Sequence, residues 1–512
     1  MSAPAPCLMV QGTGSGVGKS VLAAALCRLF ARAGYRVAPF KSQNMALNAA
    51  VTADGGEIGR SQAAQAEAAG VEPSVDMNPI LLKPEADDRS QVVVRGRAVG
   101  TMDWRAYVKL LPELLPIVGE SLARLRRAHD LVVIEGAGSP AEINLAATEI
   151  VNMRIARLAD ARVVLVGDID RGGVFGALVG TLALLDPADR ARVGGFVVNR
   201  FRGDVAVLRP GLEELTARTG VPVLGVVPWI PGRLAPAEDS LDLDSLREPA
   251  GGESAAIEIA VVRLPRLANF DDFEPLAEEP GVRVRWVTTP AELGAADLVV
   301  VPGSKSTVAD LGWLRATGFA AAIRGAAAAG RHVLGVCGGF QMLGEAILDP
   351  EGVESPAPST PGLGLLPAVT TFSPSKTTVR VRARVAGTPG PFAAAAGSEV
   401  TAYEIHAGRT RPAPGAPPLF AVVERGGASA HDADGAVNAA GNVAGTYLHG
   451  LFANDALRRA LLRHLAALKG SAPDGRWGAP RGDPYERLAR VVGGALDLSA
   501  VAKLVGLAFP RA

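Results

Sequence analysis

The segment Val10-Gln11-Gly12-Thr13-Gly14-Ser15-Gly16-Val17-Gly18-Lys19-Ser20 limits the possible folds more than any other stretch of this chain. A short apolar run precedes it and an amphipathic one follows, so the loop joins a strand to a helix. Backbone N–H groups of such a loop, with the first turn of the helix, cradle phosphate oxygens. Lys19 is expected to neutralise the β- and γ-phosphates of ATP and Ser20 to ligate Mg²⁺. Gly12, Thr13, Gly16 and Gly18 are expected to line the phosphates. The spacing is not the usual G-x₄-GK[ST]. That template puts a glycine at 13, where Thr13 stands, whereas counting from Gly12 gives the longer G-x₅-GKS. The dinucleotide pattern G-x-G-x-x-G also fails, because position 17 is Val17. The chain keeps only eight lysines beside 44 arginines. A lysine retained here points to a need for a compact ammonium charge.

A loop of this kind belongs on a parallel sheet, and the first half supplies one. Cys7–Gln11, Arg36–Phe40, Leu131–Ile134, Arg162–Val166, Gly195–Val198 and Pro222–Val227 read as buried strands separated by helical periods, the pattern of βαβ units. The polar, proline-bearing stretch 233–256 reads as a linker. A second α/β series follows at Ile257–Leu264, Val282–Val287, Asp297–Val301 and His332–Val336. Pro350–Pro361 and Thr410–Pro418 are expected as proline-rich loops, and the chain from Asn454 as helical with a polar break at Gly470–Asp483. The 512 residues therefore divide into an ATP-dependent domain (1–232), the linker (233–256), a second α/β domain (257–455) and a helical tail (456–512).

Carboxyl ends of parallel strands are where such sheets bind ligands. Glu135 ends the strand Leu131–Ile134 and is a candidate Mg²⁺ ligand beside Ser20. Asp54 and Glu57, in Asp54-Gly55-Gly56-Glu57, are further metal candidates, since Mg²⁺ takes one or two carboxylates plus phosphate and water. Lys41 follows the strand Arg36–Phe40 and is expected to contact phosphate or substrate.

The second half carries a nucleophile pattern. Val333–Leu343 is a strand, a tight turn and a helix, with Cys337 at the turn before Gly338-Gly339. The helix N-terminus favours thiolate there. The Gly338 N–H and a second donor from the strand-end loop Val301–Thr307, at Gly303, are expected to form an oxyanion hole. Cys7 and Cys27 lie inside an expected strand and helix and read as structural. Among six histidines, His449 ends a short strand and is the first candidate base, with His406 the second. His129 and His464 are expected at the surface.

Equal numbers of basic and acidic residues, 52 each, imply no nucleic-acid partner from bulk charge. Three cysteines exclude a disulfide framework and suit a reducing compartment. Neither a signal peptide nor an apolar run long enough to span a membrane is read, so a cytoplasmic enzyme is expected, its oligomeric state open.

These motifs together resemble one family, the glutamine-hydrolysing cobyric acid synthases of cobalamin biosynthesis. The resemblance runs from Leu8 to Phe452. It rests on Gln11–Ser20, Pro39–Asn48, Thr52–Gln62, Glu135–Asn144, Asp168–Gly176, Asn199–Asp204, Pro302–Thr307, Cys337-Gly338-Gly339, Tyr403–Thr410 and Tyr447–Phe452. It implies an α/β protein whose first domain is similar to dethiobiotin synthetase, with its longer phosphate loop. The second domain is similar to the class I glutamine amidotransferases. It implies metal ligands at Ser20, Glu135 and Asp54, and ATP, Mg²⁺ and L-glutamine as cofactors and nitrogen donor. The implied substrate is the corrinoid adenosyl-cobyrinic acid a,c-diamide, amidated at its b, d, e and g carboxylates through acyl phosphates. Broader class I glutaminases carry His-x-Glu, but position 451 is Leu451 here. The orienting group for His449 is then a carbonyl, a water or another carboxylate, Glu404 among them. Cobyrinic acid a,c-diamide synthase, and a P-loop regulatory ATPase carrying a glutaminase-like binding domain, are the alternatives.

Overall fold

In the computed structural model, which describes residues 3–85, 88–230, 256–479 and 482–510, the six expected strands of the first half form one sheet. Their order across it is Val223–Pro228, Val193–Phe201, Arg162–Asp168, Cys7–Gly12, Leu131–Glu135, Val37–Phe40, and every pairing is parallel. Cys7–Gly12 is buried along its whole length, as a strand covered on both faces must be. The chain runs from it to one side of the sheet and later returns to the other. A crevice therefore opens at its carboxyl end, where the phosphate loop begins. Helix Lys19–Arg32 turns Leu22, Leu26, Leu29 and Phe30 inward at helical spacing. Each leucine so buried stabilises the fold by roughly 2 kcal/mol.

The sequence reading assigned no strands to residues 80–103. The structure places a four-stranded sheet there, ordered Gln43–Met45, Ile80–Pro84, Arg89–Val94, Arg97–Asp103. Arg95 (φ 44°) and Gly96 (φ 76°) make its hairpin turn. Two consecutive positive φ values match the twist of adjacent strands, but Arg-Gly is a weak turn signal. The following helix, Trp104–Ala128, is capped by the Asp103 carboxylate, which accepts from the Ala106 N–H at 2.8 Å.

The second sheet runs Val282–Val287, Ile257–Val262, Leu298–Val301, His332–Val336, Val443–Thr446, Ala436–Val437. Its pairings are parallel except the last. A mixed sheet follows, built on the long antiparallel strands Ala368–Val385 and Glu399–Pro412, with Ala346–Leu348 pairing parallel to the first of them. Both expected proline-rich loops lose residues to it. Ser359–Pro361 is an edge strand, where a proline's missing N–H costs no ladder bond. Thr410–Pro412 ends Glu399–Pro412.

The chain divides into two compact units. One comprises the described residues of Met1–Ala46, Glu57–Pro236 and Gly482–Ala512, the other those of Leu47–Gly56 and Ala237–Arg481. Apart from Ala256, the linker expected at 233–256 lies outside the described residues. The helices expected after Asn454 are Asp455–Leu468, Pro484–Ala495 and Leu498–Leu504. The last two belong to the first unit, where Leu488, Val492 and Val501 share a core with Leu26 and Phe30. Among the described residues no helix is long and apolar enough to cross a membrane.

Candidate active sites

In the first unit, Gly16 (φ 70°) and Gly18 (φ 99°) carry the phosphate loop through left-handed backbone. At Gly18 a side chain has no room either, because a Cβ would stand 2.1 Å from Asn199 Nδ2. That amide donates to the Val17 carbonyl at 2.8 Å and pins the loop. Thr13 N–H donates to the Val166 carbonyl at 2.9 Å, tying the loop to the neighbouring strand. Lys19 is buried, its Nζ donating to Gly14 O (2.8 Å) and Gly138 O (3.1 Å). The ammonium thus lies curled under the loop.

Glu135, 1% exposed, is the hub beside it. Its Oε1 accepts from Ser20 Oγ at 2.8 Å and from Lys41 Nζ at 3.0 Å, and Gln65 Nε2 donates to Oε2. Four expected residues (Lys19, Ser20, Lys41 and Glu135) thus gather at the carboxyl end of Cys7–Gly12. Among the described residues no group of three or more His, Cys, Asp or Glu could hold a metal. A hydroxyl and one carboxylate are nevertheless hard oxygen donors, the set Mg²⁺ takes when phosphate oxygens and waters complete the shell. Asp54 falls in the second unit, where Thr52 Oγ1 donates to its carboxylate. Glu57 is in the first and pairs with Lys83.

In the second unit, Cys337 stands between the strand His332–Val336 and the helix Gly338–Leu343 at φ 52°, ψ −110°. A non-glycine residue at positive φ is strained, and here the strain presents the thiol at the elbow. The following glycines are required by close approach. A Cβ on Gly339 would sit 1.8 Å from the Val301 carbonyl oxygen, and one on Gly338 2.9 Å from Ser304 N. The loop Pro302–Ser304 therefore lies directly over the helix start, with Gly303 beside His449. A Cβ at 303 would be 3.3 Å from the imidazole Cε1. Burial pushes the Cys7 thiol up to about 11 and raises Cys27 as well, which suits inert structural cysteines.

His449 is 2% exposed. Its Nδ1 lies 2.7 Å from Asp272 Oδ2, and the other carboxylate oxygen accepts from Gly450 N–H at 2.8 Å. Burial alone would lower the imidazole pKa. The Asp272 charge and the hydrogen-bonded Cys337 sulfur outweigh it and push the pKa up to about 10. The result is a Cys–His–Asp array, its tautomer fixed by a carboxylate that the sequence reading missed. Asp272 stands in Asn269-Phe270-Asp271-Asp272-Phe273, ten residues beyond the end of the strand Ile257–Val262. A carboxylate pair beyond a strand's carboxyl end was the available signal.

Glu404 does not orient His449. It pairs with Arg425 at 2.9 Å and lies 3.8 Å from His406 Nε2. His406 has its Nδ1 2.9 Å from Gly408 O and stacks on Tyr447 with ring centroids 3.8 Å apart. His464, expected at the surface, is half-buried with its Nε2 3.1 Å from that of His332. The helix Asp455–Leu468 turns this position toward the neighbouring strand. His129 is half-buried as well, its Nδ1 2.9 Å from Leu125 O at the end of its helix.

Residues 8–240 match the model of the CobQ/CobB/MinD/ParA nucleotide binding domain, and residues 258–457 that of the CobB/CobQ-like glutamine amidotransferase domain. The chain is 56% identical to the cobyric acid synthase of Sorangium cellulosum (strain So ce56), the match covering 98% of each chain. It is 52% identical to that of Pelotomaculum thermopropionicum (strain DSM 13744 / JCM 10971 / SI), covering 99% of this chain and 98% of the relative.

Proposed function

Because the chain belongs to the cobyric acid synthase family, we propose that it amidates the b, d, e and g carboxylates of adenosyl-cobyrinic acid a,c-diamide, using ATP and ammonia drawn from glutamine. It is a glutamine-dependent amidoligase, and its residues support this division of labour. A carboxylate resists ammonia at neutral pH. Transfer of the γ-phosphoryl group from ATP to a substrate carboxylate oxygen gives an acyl phosphate and ADP. Ammonia then attacks the acyl carbon and phosphate leaves. Lys19 supplies charge for the transferring group. Lys41 steadies Glu135 and the substrate carboxylate. Ser20 and Glu135 would hold Mg²⁺, which when bound neutralises charge on the phosphates.

Ammonia is released from glutamine at Cys337, whose thiol proton passes to His449. The sulfur attacks the glutamine amide carbon, and N–H groups of Gly338 and the Gly303 loop stabilise the oxyanion. The His449 imidazolium protonates the departing ammonia, leaving a thioester. Water, deprotonated by His449, releases glutamate. The observation that carries this reading is the buried His449–Asp272 pair set against an elbow cysteine. It also disfavours a regulatory ATPase with an inert binding domain, which has no use for such an array.

The test is incubation with ATP, Mg²⁺, glutamine and the a,c-diamide, followed by mass spectrometry. A ladder of four successive amidations is expected. Turnover of cobyrinic acid itself, with the a,c-diamide left untouched, would reassign the substrate to the earlier intermediate.

A further inference from the structure

We propose that Asn48 and Asn269 are positioning residues for the glutamine-hydrolysing site, and that the segment Leu47–Gly56 is a strut under the His449–Asp272 pair. The proposal rests on the function proposed above.

Asp272 rides on the short turn Phe270–Phe273, which runs directly into the one-turn helix Glu274–Ala277. Elements that short have little rigidity of their own, so their neighbours help to hold them. Asn269 enters it at φ 52°, a left-handed conformation that asparagine tolerates when its side chain is bonded locally. Both ends of that side chain are engaged. Its Oδ1 accepts from the Ala49 N–H at 3.3 Å, and its Nδ2 donates to the Tyr403 hydroxyl at 3.2 Å. Asn48 Oδ1 in turn accepts from the Phe270 N–H at 3.2 Å, the first donor of the turn. The two asparagines are buried, at 0% and 3% exposure, so water does not substitute for either contact.

The link reaches the imidazole along a second path. Tyr403 stacks on His449, ring centroids 5.3 Å apart at 20°. The two backbones pair in both directions, His449 N–H to Tyr403 O at 2.9 Å and Tyr403 N–H to His449 O at 3.2 Å. Asn269 thus touches both the turn bearing the carboxylate and the ring that packs on the base. The far side of the strut is fastened too, where Arg380 Nε donates to the Val51 carbonyl at 2.9 Å. The two asparagines act through the turn and through Tyr403.

The experiment uses the full-length protein with Asn48→Ala, Asn269→Ala, the double variant and Asn48→Asp. Glutamine hydrolysis, ammonia-dependent amidation and thermal melting are measured for each. Loosening the Asp272 turn should lower kcat for glutamine hydrolysis by roughly 10-fold or more in each alanine variant, because small displacements of a catalytic group are costly. KM for glutamine should change little, and ammonia-dependent amidation should persist. The double variant should lose less than the product of the two single losses, since both residues hold the same turn. Asn48→Asp keeps the acceptor oxygen and should retain most of the rate, which also decides the matter if Asn48→Ala melts out. Wild-type kcat in both alanine variants, or an Asn48→Asp enzyme as slow as Asn48→Ala, would overturn the proposal. Failure of the underlying function would appear instead in the unaltered protein, as absent glutamine-dependent amidation.

Discussion

His449 Nδ1 and Asp272 Oδ2 stand 2.7 Å apart although 177 residues separate them in the chain. That contact commits Nδ1 to the carboxylate and leaves Nε2 for the sulfur of Cys337. It also supplies the orienting carboxylate that position 451 does not.

Replacing Asp272 by Asn should therefore lower glutamine hydrolysis by roughly 100- to 10,000-fold, the range expected when a base loses its orienting carboxylate. The pH profile should change with a definite sign. The His449 pKa is raised to about 10, so the imidazolium persists at neutral pH and is lost as pH climbs through that value. Without the Asp272 charge, the alkaline limb of kcat/KM should move to lower pH. An unmoved limb in a folded Asp272→Asn enzyme would count against the pairing.

Cys337→Ser and Cys337→Ala should abolish glutamine-dependent amidation and leave ammonia-dependent amidation largely intact. The comparison is made with glutamine or an ammonium salt as the nitrogen source. A folded Cys337 variant that ammonium does not rescue would refute separate sites for the two half-reactions.

Lys19→Ala should remove amidation with either nitrogen source, by roughly 100-fold or more, the scale of one lost electrostatic donor in other enzymes. Its ammonium is held under the phosphate loop by Gly14 O and Gly138 O. Near-normal turnover with ammonium would show that the acyl phosphate forms without it.

Leu451→Glu, which restores the His-x-Glu pattern of broader glutaminases, should not improve activity. Leu451 is 2% exposed and belongs to an apolar core with Leu448, Phe452 and Phe273, and Nδ1 already has its carboxylate. A carboxyl buried there without a partner should cost roughly 2 kcal/mol or more of stability. Thermal melting and glutamine hydrolysis measured together would check both halves.

Gly339→Ala should abolish glutamine hydrolysis, because the new Cβ would meet the Val301 carbonyl at 1.8 Å and backbone cannot swing aside as a side chain can. Ammonia-dependent amidation should survive, since this crowding is confined to the second unit. A Gly339→Ala protein hydrolysing glutamine at wild-type rate would mean that the loop over the helix start is mobile.

Local patterns were legible in the sequence, and long-range pairings were not. The phosphate loop and the cysteine elbow each put their chemistry within a dozen consecutive residues, where glycine spacing and strand–helix periodicity report it. The six strands of the first sheet were equally readable, since burial on both faces leaves continuous apolar runs. Asp272 was missed because nothing in its own turn records that His449 will arrive beside it. The sheet across 80–103 was missed because Arg95-Gly96 lacks the usual asparagine of such a turn. The placement of Asn48 against Phe270 is of the same kind. Only the fold reveals that this stretch of the first half belongs with the second.

The helices Pro484–Ala495 and Leu498–Leu504 close the core around Leu26 and Phe30, and this has a consequence for biogenesis. The ribosome makes the phosphate loop well before the helices that cover its supporting helix. Until those helices emerge the nucleotide unit exposes an unfinished apolar face, although most of the amidotransferase unit between its parts has already been made. Nascent chains cut off before Pro484 would carry that bare face into the cell and be substrates for chaperones and proteases rather than half-active enzymes.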